Sequence, residues 1–279
     1  MRFRIAMDSA GELAPSMQNR PEYTIIPLTL IIGDEEIIDD GTLDQDELVH
    51  KIAASPECPR TACPSPEAYL QAFECDADHI YGITISAELS GSYQSAKVAE
   101  DMFLAEHPDA KIHVFNSRST SVAETMVAMM IEDMEEEGCS FEEIVEKVEA
   151  YCIKKDTYFT LDNLETLRKN GRLSNLKALA ANLLKIKPIC IGTDEGTIEQ
   201  LDQARGSTKA LKKMCSHIVR RTTDPATRRL GIAYVNCLDR AHMVRDAILK
   251  EIPVKEVIIQ KTGGLSTTYA NDGGIIVVI

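Results

Sequence analysis

Short apolar segments alternate with amphipathic segments through the first half of the chain. Four apolar segments are each followed by a polar residue or glycine: FRIAM (3–7), YTIIPLTLII (23–32), HIYGITI (79–85) and IHVF (112–115). Apolar residues with helical spacing mark the stretches 44–54, 66–74, 91–106, 120–137 and 141–154. This alternation is typical of parallel strands joined by helices. We therefore predict that residues 1–155 form a parallel α/β lobe.

Residues with strong positional preferences mark several of these helix ends. Ser65 before Pro66 indicates a helix start, because serine accepts hydrogen bonds at a cap and proline fits the first helical position. Ser140 and Glu143 have the spacing of a capping box. Gly138 predicts the end of the preceding helix.

The pattern changes from about residue 157. A strand-like YFTL is followed by helical stretches at 162–169, closed by Gly171, and at 174–184. Two β-rich segments, 188–192 and 197–205, flank Asp194-Glu195-Gly196, which is typical of an antiparallel hairpin. Further helices are predicted at 207–222 and 239–250, and further strands at 229–237, 255–260 and 273–279. We therefore predict a second, mixed α/β lobe with antiparallel pairing over residues 156–279.

The length of the chain supports this division. A chain of 279 residues exceeds the usual size of one hydrophobic core, so two lobes with a cleft between them are expected. No apolar run approaches the roughly 20 residues that cross a bilayer, so we expect no integral membrane segment. Asp8 would interrupt the apolar part of a signal peptide, and a cytoplasmic location is the expectation.

Charge is distributed unevenly along the chain. The net charge of −14 disfavours nucleic acid as a partner. Residues 168–229 nevertheless contain 14 Lys and Arg against 5 Asp and Glu, a local balance of +9. This basic segment suggests recognition of a small anion or an acidic surface, although each of its charges could equally serve to solvate a helix face. The eight cysteines and six histidines show no metal-ligand spacing, so no metal site is expected.

Two hydroxyl-rich segments stand where strands give way to helices. Leu89-Ser90-Gly91-Ser92 precedes the helix 91–106, and Thr61 lies shortly before the helix 66–74. Such junctions favour anions, because the first helical N–H groups are unpaired and the helix dipole adds positive potential. Ser90 and Ser92 can donate to a ligand and Gly91 permits close approach to the backbone. The alternative is that these serines only cap a helix.

Two arginines beside glycines lie within the basic segment. Arg172 follows Gly171, and Arg205 precedes Gly206. The planar guanidinium suits carboxylate or phosphate recognition. A surface salt bridge is the alternative for each.

The common catalytic motifs are absent from the sequence. It contains no G-x-x-x-x-G-K-[ST], no G-x-G-x-x-G and no G-x-S-x-G, which removes the commonest nucleotide-binding and serine-hydrolase interpretations. A stand-alone phosphotransferase or hydrolase that acts on a small phosphorylated metabolite through the basic segment stays open as an alternative.

A set of longer segments is informative as an ordered series. DSAGEL, IIPLTL followed by IDDG, TACPSPEAY, ISAELSGSYQSA, YFTLDNLETLRKNGRLS, LLKIKPI and ARGSTKAL occur in that order. The series resembles the DegV family of bacterial fatty-acid-binding proteins, from about residue 3 to the C-terminus.

The resemblance implies a two-domain α/β carrier that holds one long-chain fatty acid with its carboxylate at the cleft between the lobes. It implies that the carrier presents this carboxylate to a separate ATP-dependent fatty acid kinase and that the acyl phosphate enters phospholipid synthesis. No catalytic residue, cofactor or metal is implied in the carrier itself. By position in the motifs, Thr61, Ser90 and Gly91 match carboxylate contacts, and Arg172 and Arg205 match arginines linked with the head group, its phosphorylated product or the kinase.

Two segments depart from the family pattern. Thr61-Ala62-Cys63-Pro64-Ser65 stands where the family commonly has T-S-Q-P-S, so one hydroxyl and one amide are lost. Tyr269-Ala-Asn-Asp-Gly273 is the best match to the family's H-T-G-P-G. The histidine that would contact the carboxylate is therefore replaced, with Tyr269, Thr268 and Thr267 as candidates.

Overall fold

The computed structural model of the protein describes residues 2–173 and 186–279. Its strands are β1 Phe3–Asp8, β2 Tyr23–Ile26, β3 Thr29–Ile32, β4 Glu35–Ile38, β5 Arg60–Ala62, β6 His79–Thr84, β7 Lys111–Asn116, β8 Thr157–Thr160, β9 Ile186–Gly192, β10 Ile198–Arg205, β11 Arg229–Tyr234, β12 Glu256–Lys261 and β13 Ile275–Val278. Its α-helices are α1 Gln45–Ala54, α2 Pro66–Phe73, α3 Ser92–Glu106, α4 Val122–Glu137, α5 Phe141–Lys154, α6 Glu165–Lys169, α7 Ser207–Arg221, α8 Leu238–Leu249 and α9 Gly264–Ala270. The helix predicted at 174–184 lies outside the described residues.

The first sheet has four strands in the order β2-β1-β6-β7, and every pairing in it is parallel. Side chains of β1 alternate between its two faces. Ile5 and Met7 share a core with α4 and α5, whereas Ala6 shares a core with α2 and α3. The predicted parallel α/β architecture of the first half is confirmed.

The apolar segment 23–32 forms two strands rather than the single strand that its composition predicts. Pro27 interrupts it, because proline has no N–H for a ladder hydrogen bond. β2 stays in the parallel sheet, and β3 joins a separate antiparallel sheet with the order β4-β3-β5. This small sheet was not predicted, and it places Thr61 of β5 opposite Leu30 of β3.

The second large sheet has six strands in the order β10-β9-β8-β13-β11-β12. The predicted hairpin is present, because β9 and β10 pair in antiparallel fashion around the turn at 193–197. Only β11 and β12 are parallel, and α8 connects them. The predicted mixed α/β architecture with antiparallel pairing is therefore confirmed.

Helix α4 packs against both large sheets. Val127 and Ile131 share a core with Ile5 of the parallel sheet, whereas Val122 and Met126 share a core with residues of the mixed sheet. α4 and α5 lie between the end of β7 and the start of β8. The division at 155/156 remains a prediction.

No helix among residues 2–173 and 186–279 has the length and apolar character needed to cross a bilayer.

Candidate functional site

A narrow cavity lies where the carboxyl end of the parallel sheet meets the mixed sheet. Its empty volume is about 820 Å³, part of which is open to solvent. Apolar side chains from both halves form much of the wall: Ile85, Leu89, Phe159, Leu161, Leu167, Ile198, Leu265, Ala270 and Ile276.

Four of the residues singled out in the sequence line this cavity, and we call them the first polar group: Thr61, Ser90, Arg172 and Tyr269. They come from β5, the loop before α3, the segment after α6, and α9. The hydroxyl oxygens of Thr61 and Tyr269 are 3.0 Å apart. The fold therefore brings side chains from distant parts of the sequence to one apolar chamber.

Ser90 lies in a loop that hydrogen bonds hold at both ends. Its N–H donates to Ser86 O at 3.1 Å, and its Oγ accepts from the N–H of Ser92 at 3.3 Å. Gly91 lines a surface groove rather than the cavity, and its N–H has no hydrogen-bond acceptor among the described residues. A Cβ on Gly91 would lie 3.2 Å from Cys63 Sγ, so the Ser90 loop and the Thr61 loop touch.

Ser92 lies behind the cavity wall and not on it. Its side chain is fully buried close to the Asp8 carboxyl group, and its Oγ is 3.1 Å from Ser90 Oγ. Asp8 also accepts from the N–H of Ile85 at 3.1 Å and from the hydroxyl of Tyr69 at 3.3 Å. Burial raises the pKa of Asp8 to about 6. Ser92 therefore supports the Ser90 loop from behind the cavity wall, and its assignment as a ligand contact stays a prediction.

Arg172 lies at the boundary between the cavity and an adjacent surface groove. Its Nε donates to Leu89 O at 3.1 Å, and its Nη1 donates to Asn170 O. Leu89, Ser90 and Arg172 line both the cavity and an adjacent surface groove, here called the outer groove, which Gly91, Asn170 and Gly171 also line. The first polar group is therefore next to the molecular surface.

Helix α9 supplies Tyr269 and was not predicted. Two acidic side chains from the first half of the chain hold its start. Asp39 accepts from the N–H groups of Gly264 at 3.1 Å and Leu265 at 2.8 Å, and Glu12 accepts from the N–H of Gly263 at 2.8 Å. Burial raises the pKa of Glu12 to about 7 and also raises the pKa of Asp39. These contacts join the two halves of the chain beside the cavity.

The three candidates for the missing histidine differ in position. Tyr269 lines the cavity. Thr268 Oγ1 donates to Gly264 O of its own helix at 2.8 Å, and Thr267 Oγ1 is 2.7 Å from Thr262 Oγ1. Both threonines are fully buried in these bonds, so Tyr269 is the candidate that lies at the cavity, and the assignments of Tyr269 and Thr268 stay predictions.

Arg205 lies away from the cavity. It is the last residue of β10 and pairs with Ile186, whereas Ile198 at the other end of the same strand lines the cavity. The Arg205 residue is exposed. It is therefore placed for a contact on the protein surface and not for a contact inside the cavity.

A second polar group, which the sequence analysis missed, lines another part of the cavity: Arg118, Ser119, Thr120 and Thr157. Ser119 Oγ and Thr157 Oγ1 are 2.8 Å apart. Arg118 Nη1 donates to Asp194 O at 2.9 Å, so it contacts the turn between β9 and β10. The only sequence signal is the run of hydroxyl residues after β7, which resembles any strand-to-helix loop.

The same turn docks on the loop that follows β6. Ser86 Oγ donates to Gly196 O at 2.8 Å. Gly196 has φ +93°, and a Cβ there would lie 2.3 Å from Ser86 Oγ. Glycine is therefore required at this position by both backbone conformation and space.

No group of three or more histidine, cysteine or acidic side chains among the described residues could hold a metal ion.

Comparison with known proteins identifies the family. The family model described as "Uncharacterised protein, DegV family" matches residues 2–279. The chain belongs to the DegV family. A DegV domain-containing protein of Streptococcus pneumoniae is 34% identical over 278 residues, which cover 99% of this chain and 98% of that protein.

Two solved DegV structures are close to this fold. The DegV family protein of Ruminococcus gnavus, refined with vaccenic acid, is 45% identical with a TM-score of 0.96, covering 99% of both chains. The fatty acid kinase B3 protein of Streptococcus pneumoniae, loaded with linoleic acid, is 34% identical with a TM-score of 0.89, covering 100% of this chain and 99% of that one. The DegV resemblance drawn from the ordered motifs is confirmed.

Proposed function

We propose that this DegV protein binds one long-chain fatty acid in the cavity, with the carboxylate at Thr61, Ser90 and Tyr269. One observation carries the proposal: these hydroxyl groups and Arg172 meet in a chamber that is otherwise mainly apolar. A fatty acid has the matching composition, because a single anionic group is attached to a long apolar chain.

The energetics of burial favour such a ligand. Each buried methylene contributes about 0.8 kcal/mol, so a chain of about 16 carbons gains on the order of 10 kcal/mol before ordering costs. A carboxylate buried without partners would cancel much of this gain. The hydroxyl groups of Thr61, Ser90 and Tyr269, with the N–H of Gly91 nearby, supply the donors that prevent the loss.

The ligands of the two solved relatives support the same proposal. One was refined with vaccenic acid and the other was loaded with linoleic acid. Both molecules combine one carboxylate with a long hydrocarbon chain. The structural similarity to these two proteins extends over almost the whole of this chain, which supports a ligand of the same kind here.

We further propose that the bound carboxylate is presented to a separate ATP-dependent fatty acid kinase. The outer groove shares Leu89, Ser90 and Arg172 with the cavity, which gives a second protein access to the carboxylate from outside. The kinase would transfer the terminal phosphoryl group of ATP to a carboxylate oxygen, giving an acyl phosphate and ADP. Arg172, and Arg205 on the surface, are the proposed phosphate or kinase contacts.

Lipid analysis of the purified protein tests the binding proposal. Protein expressed in bacteria is examined by native mass spectrometry, and its extracted lipids are identified by chromatography. We expect one fatty acid per chain, and we expect delipidated protein to bind added palmitate or oleate. An empty protein that also ignores both added acids would overturn the proposal.

Reconstitution tests the kinase proposal separately. The loaded protein is incubated with ATP, with and without a bacterial fatty acid kinase, and acyl phosphate is trapped with hydroxylamine. We expect product only when both proteins are present. Binding without any kinase-dependent product would refute presentation to a kinase while leaving the binding proposal intact.

A further inference from the structure

Two residues of the second polar group, two positions apart in the sequence, carry buried polar atoms without hydrogen-bond partners. Arg118 Nε and Thr120 Oγ1 are both buried and unpartnered within the described part of the chain. They are also the only residues with such atoms that line the cavity, again among the residues described. A buried polar atom left unpaired is costly, so such atoms commonly mark a place where a ligand or water completes the bonding.

The neighbouring polar side chains each have a hydrogen-bond partner. Ser119 Oγ forms a hydrogen bond with Thr157 Oγ1 at 2.8 Å, and Thr197 Oγ1 forms one with Thr193 Oγ1 at 2.9 Å. Asp194 O already occupies Nη1 of Arg118, and this contact holds the guanidinium at the turn between β9 and β10. Among the described residues that line the cavity, the buried side-chain atoms without a hydrogen-bond partner are therefore Nε of Arg118 and Oγ1 of Thr120.

A plain hydrocarbon chain cannot form hydrogen bonds with these two groups. Methylene groups neither accept from Arg118 nor bond to Thr120, and a hydrocarbon that fills the chamber would exclude the water that could. An oxygen atom on the chain could do both, because a hydroxyl or carbonyl oxygen accepts from the Nε–H and from the Thr120 hydroxyl.

We propose that Arg118 and Thr120 form a subsite for an oxygen atom carried by the acyl chain, so that the protein prefers hydroxy or oxo fatty acids over their plain counterparts. The proposal rests on the proposed function, because it requires a fatty acid in the cavity. It adds a ligand class that a purely apolar tail site would reject.

Separate titrations with matched ligands test the subsite. Delipidated protein is titrated with stearic acid and with sets of hydroxystearic and oxostearic acids that differ only in the position of the oxygen. We expect at least one positional isomer to bind about 3- to 10-fold more tightly than stearic acid, which corresponds to one net hydrogen bond.

Two variants of Thr120 provide the matched comparison. Thr120→Val keeps the shape of the side chain and removes the hydroxyl, so the preferred isomer should lose its advantage while stearic acid still binds. Thr120→Ser keeps the hydroxyl and should keep the preference. Arg118→Lys, which retains the charge but lacks the Nε–H, should reduce the preference.

The possible outcomes separate the two proposals. If stearic acid binds and no oxygenated isomer is preferred, or if Thr120→Val retains the preference in full, the subsite is refuted and the proposed function stands. If neither stearic acid nor any isomer binds to the wild-type protein, the proposed function fails together with the subsite.

Discussion

The hydroxyl oxygens of Thr61 and Tyr269 are 3.0 Å apart although 208 positions separate the two residues in the sequence. Thr61 is held by the small antiparallel sheet, and Tyr269 is held by α9. The pair therefore joins the two halves of the chain at the cavity. A ligand that binds there contacts both halves at once.

Removal of either hydroxyl should weaken fatty acid binding. Thr61→Val and Tyr269→Phe each remove one donor and leave the other hydroxyl unpaired, so we expect a loss of about 3- to 30-fold in affinity. Titration with oleate measures the effect, and circular dichroism checks the fold. Thr208→Val, on an exposed position of α7, is the matched control. Wild-type affinity in both variants would exclude the pair from the carboxylate site.

Ser90→Ala should also weaken binding with little loss of stability. Ser90 is partly exposed and lines the cavity, whereas Ser92 behind it is fully buried close to Asp8. We expect a loss of about 3- to 10-fold in affinity and a melting temperature close to that of the wild type. Ser95→Ala, one turn further along α3, should bind normally. A variant that melts early but binds normally when folded would reverse the roles assigned to Ser90 and Ser92.

Loss of an arginine should affect phosphorylation more than binding. We expect Arg172→Ala and Arg205→Ala to retain most of their fatty acid affinity and to lose about 10-fold or more in acyl phosphate formation with the kinase. Lys212→Ala removes the same charge from an exposed site in the basic segment and serves as the control. Equal losses in binding and phosphorylation would place the arginines in the carboxylate site alone.

Buried acidic groups should make stability fall as the pH rises from about 4 to about 7. Burial raises the pKa of Asp8 from 3.8 to about 6 and that of Glu12 from 4.5 to about 7. The unfolded chain releases these protons first, so each group lowers the unfolding free energy by about 3 kcal/mol across that window. Urea unfolding at a series of pH values measures the slope.

Glu124→Gln offers a direct test of this dependence. Burial also raises the pKa of Glu124 well above its usual value, and the neighbouring Asp8 carboxyl group raises it further. The neutral amide imitates the protonated acid, so the variant should be more stable at neutral pH and should show a shallower slope. Glu137→Gln, at the other end of α4, is the control. An unchanged slope would argue that Glu124 is ionised at neutral pH.

Gly196→Ala should loosen the turn between β9 and β10. The new Cβ would lie 2.3 Å from Ser86 Oγ, and the φ of +93° is unfavourable for alanine. Gly33→Ala shares a positive φ but has no atom within 4 Å of its Cβ. We expect Gly33→Ala to cost about 1 kcal/mol and Gly196→Ala distinctly more, measured by thermal or urea unfolding. Equal costs would indicate that the turn does not pack against Ser86.

Short-range sequence patterns predicted correctly those structural features that depend on residues close together in the sequence. Ser140 and Glu143 form the predicted capping box, and Gly138 ends α4 with φ +78°. The hairpin around Asp194-Glu195-Gly196 formed as its turn residues predict. These features depend on residues within a few positions of one another.

The structural features that the sequence analysis missed depend on contacts between residues far apart in the sequence. Nothing near residues 264–270 predicts α9, because Asp39 and Glu12 satisfy its first N–H groups from more than 200 positions away. The split at Pro27 follows from proline chemistry, but the pairing of β3 with β5 does not. Likewise, only the three-dimensional structure turns Ser92 and Thr268 away from the cavity and brings Arg118 and Thr120 to it.

The position of β13 has a consequence for biosynthesis. This strand is made after both of its neighbours, β8 and β11, yet it lies between them in the middle of the six-stranded sheet. Until residues 275–278 leave the ribosome, β8 and β11 have no common partner, and Ile276 is missing from the cavity wall. A nascent chain stalled before this strand should therefore be unable to load a lipid, however well its parallel sheet has folded.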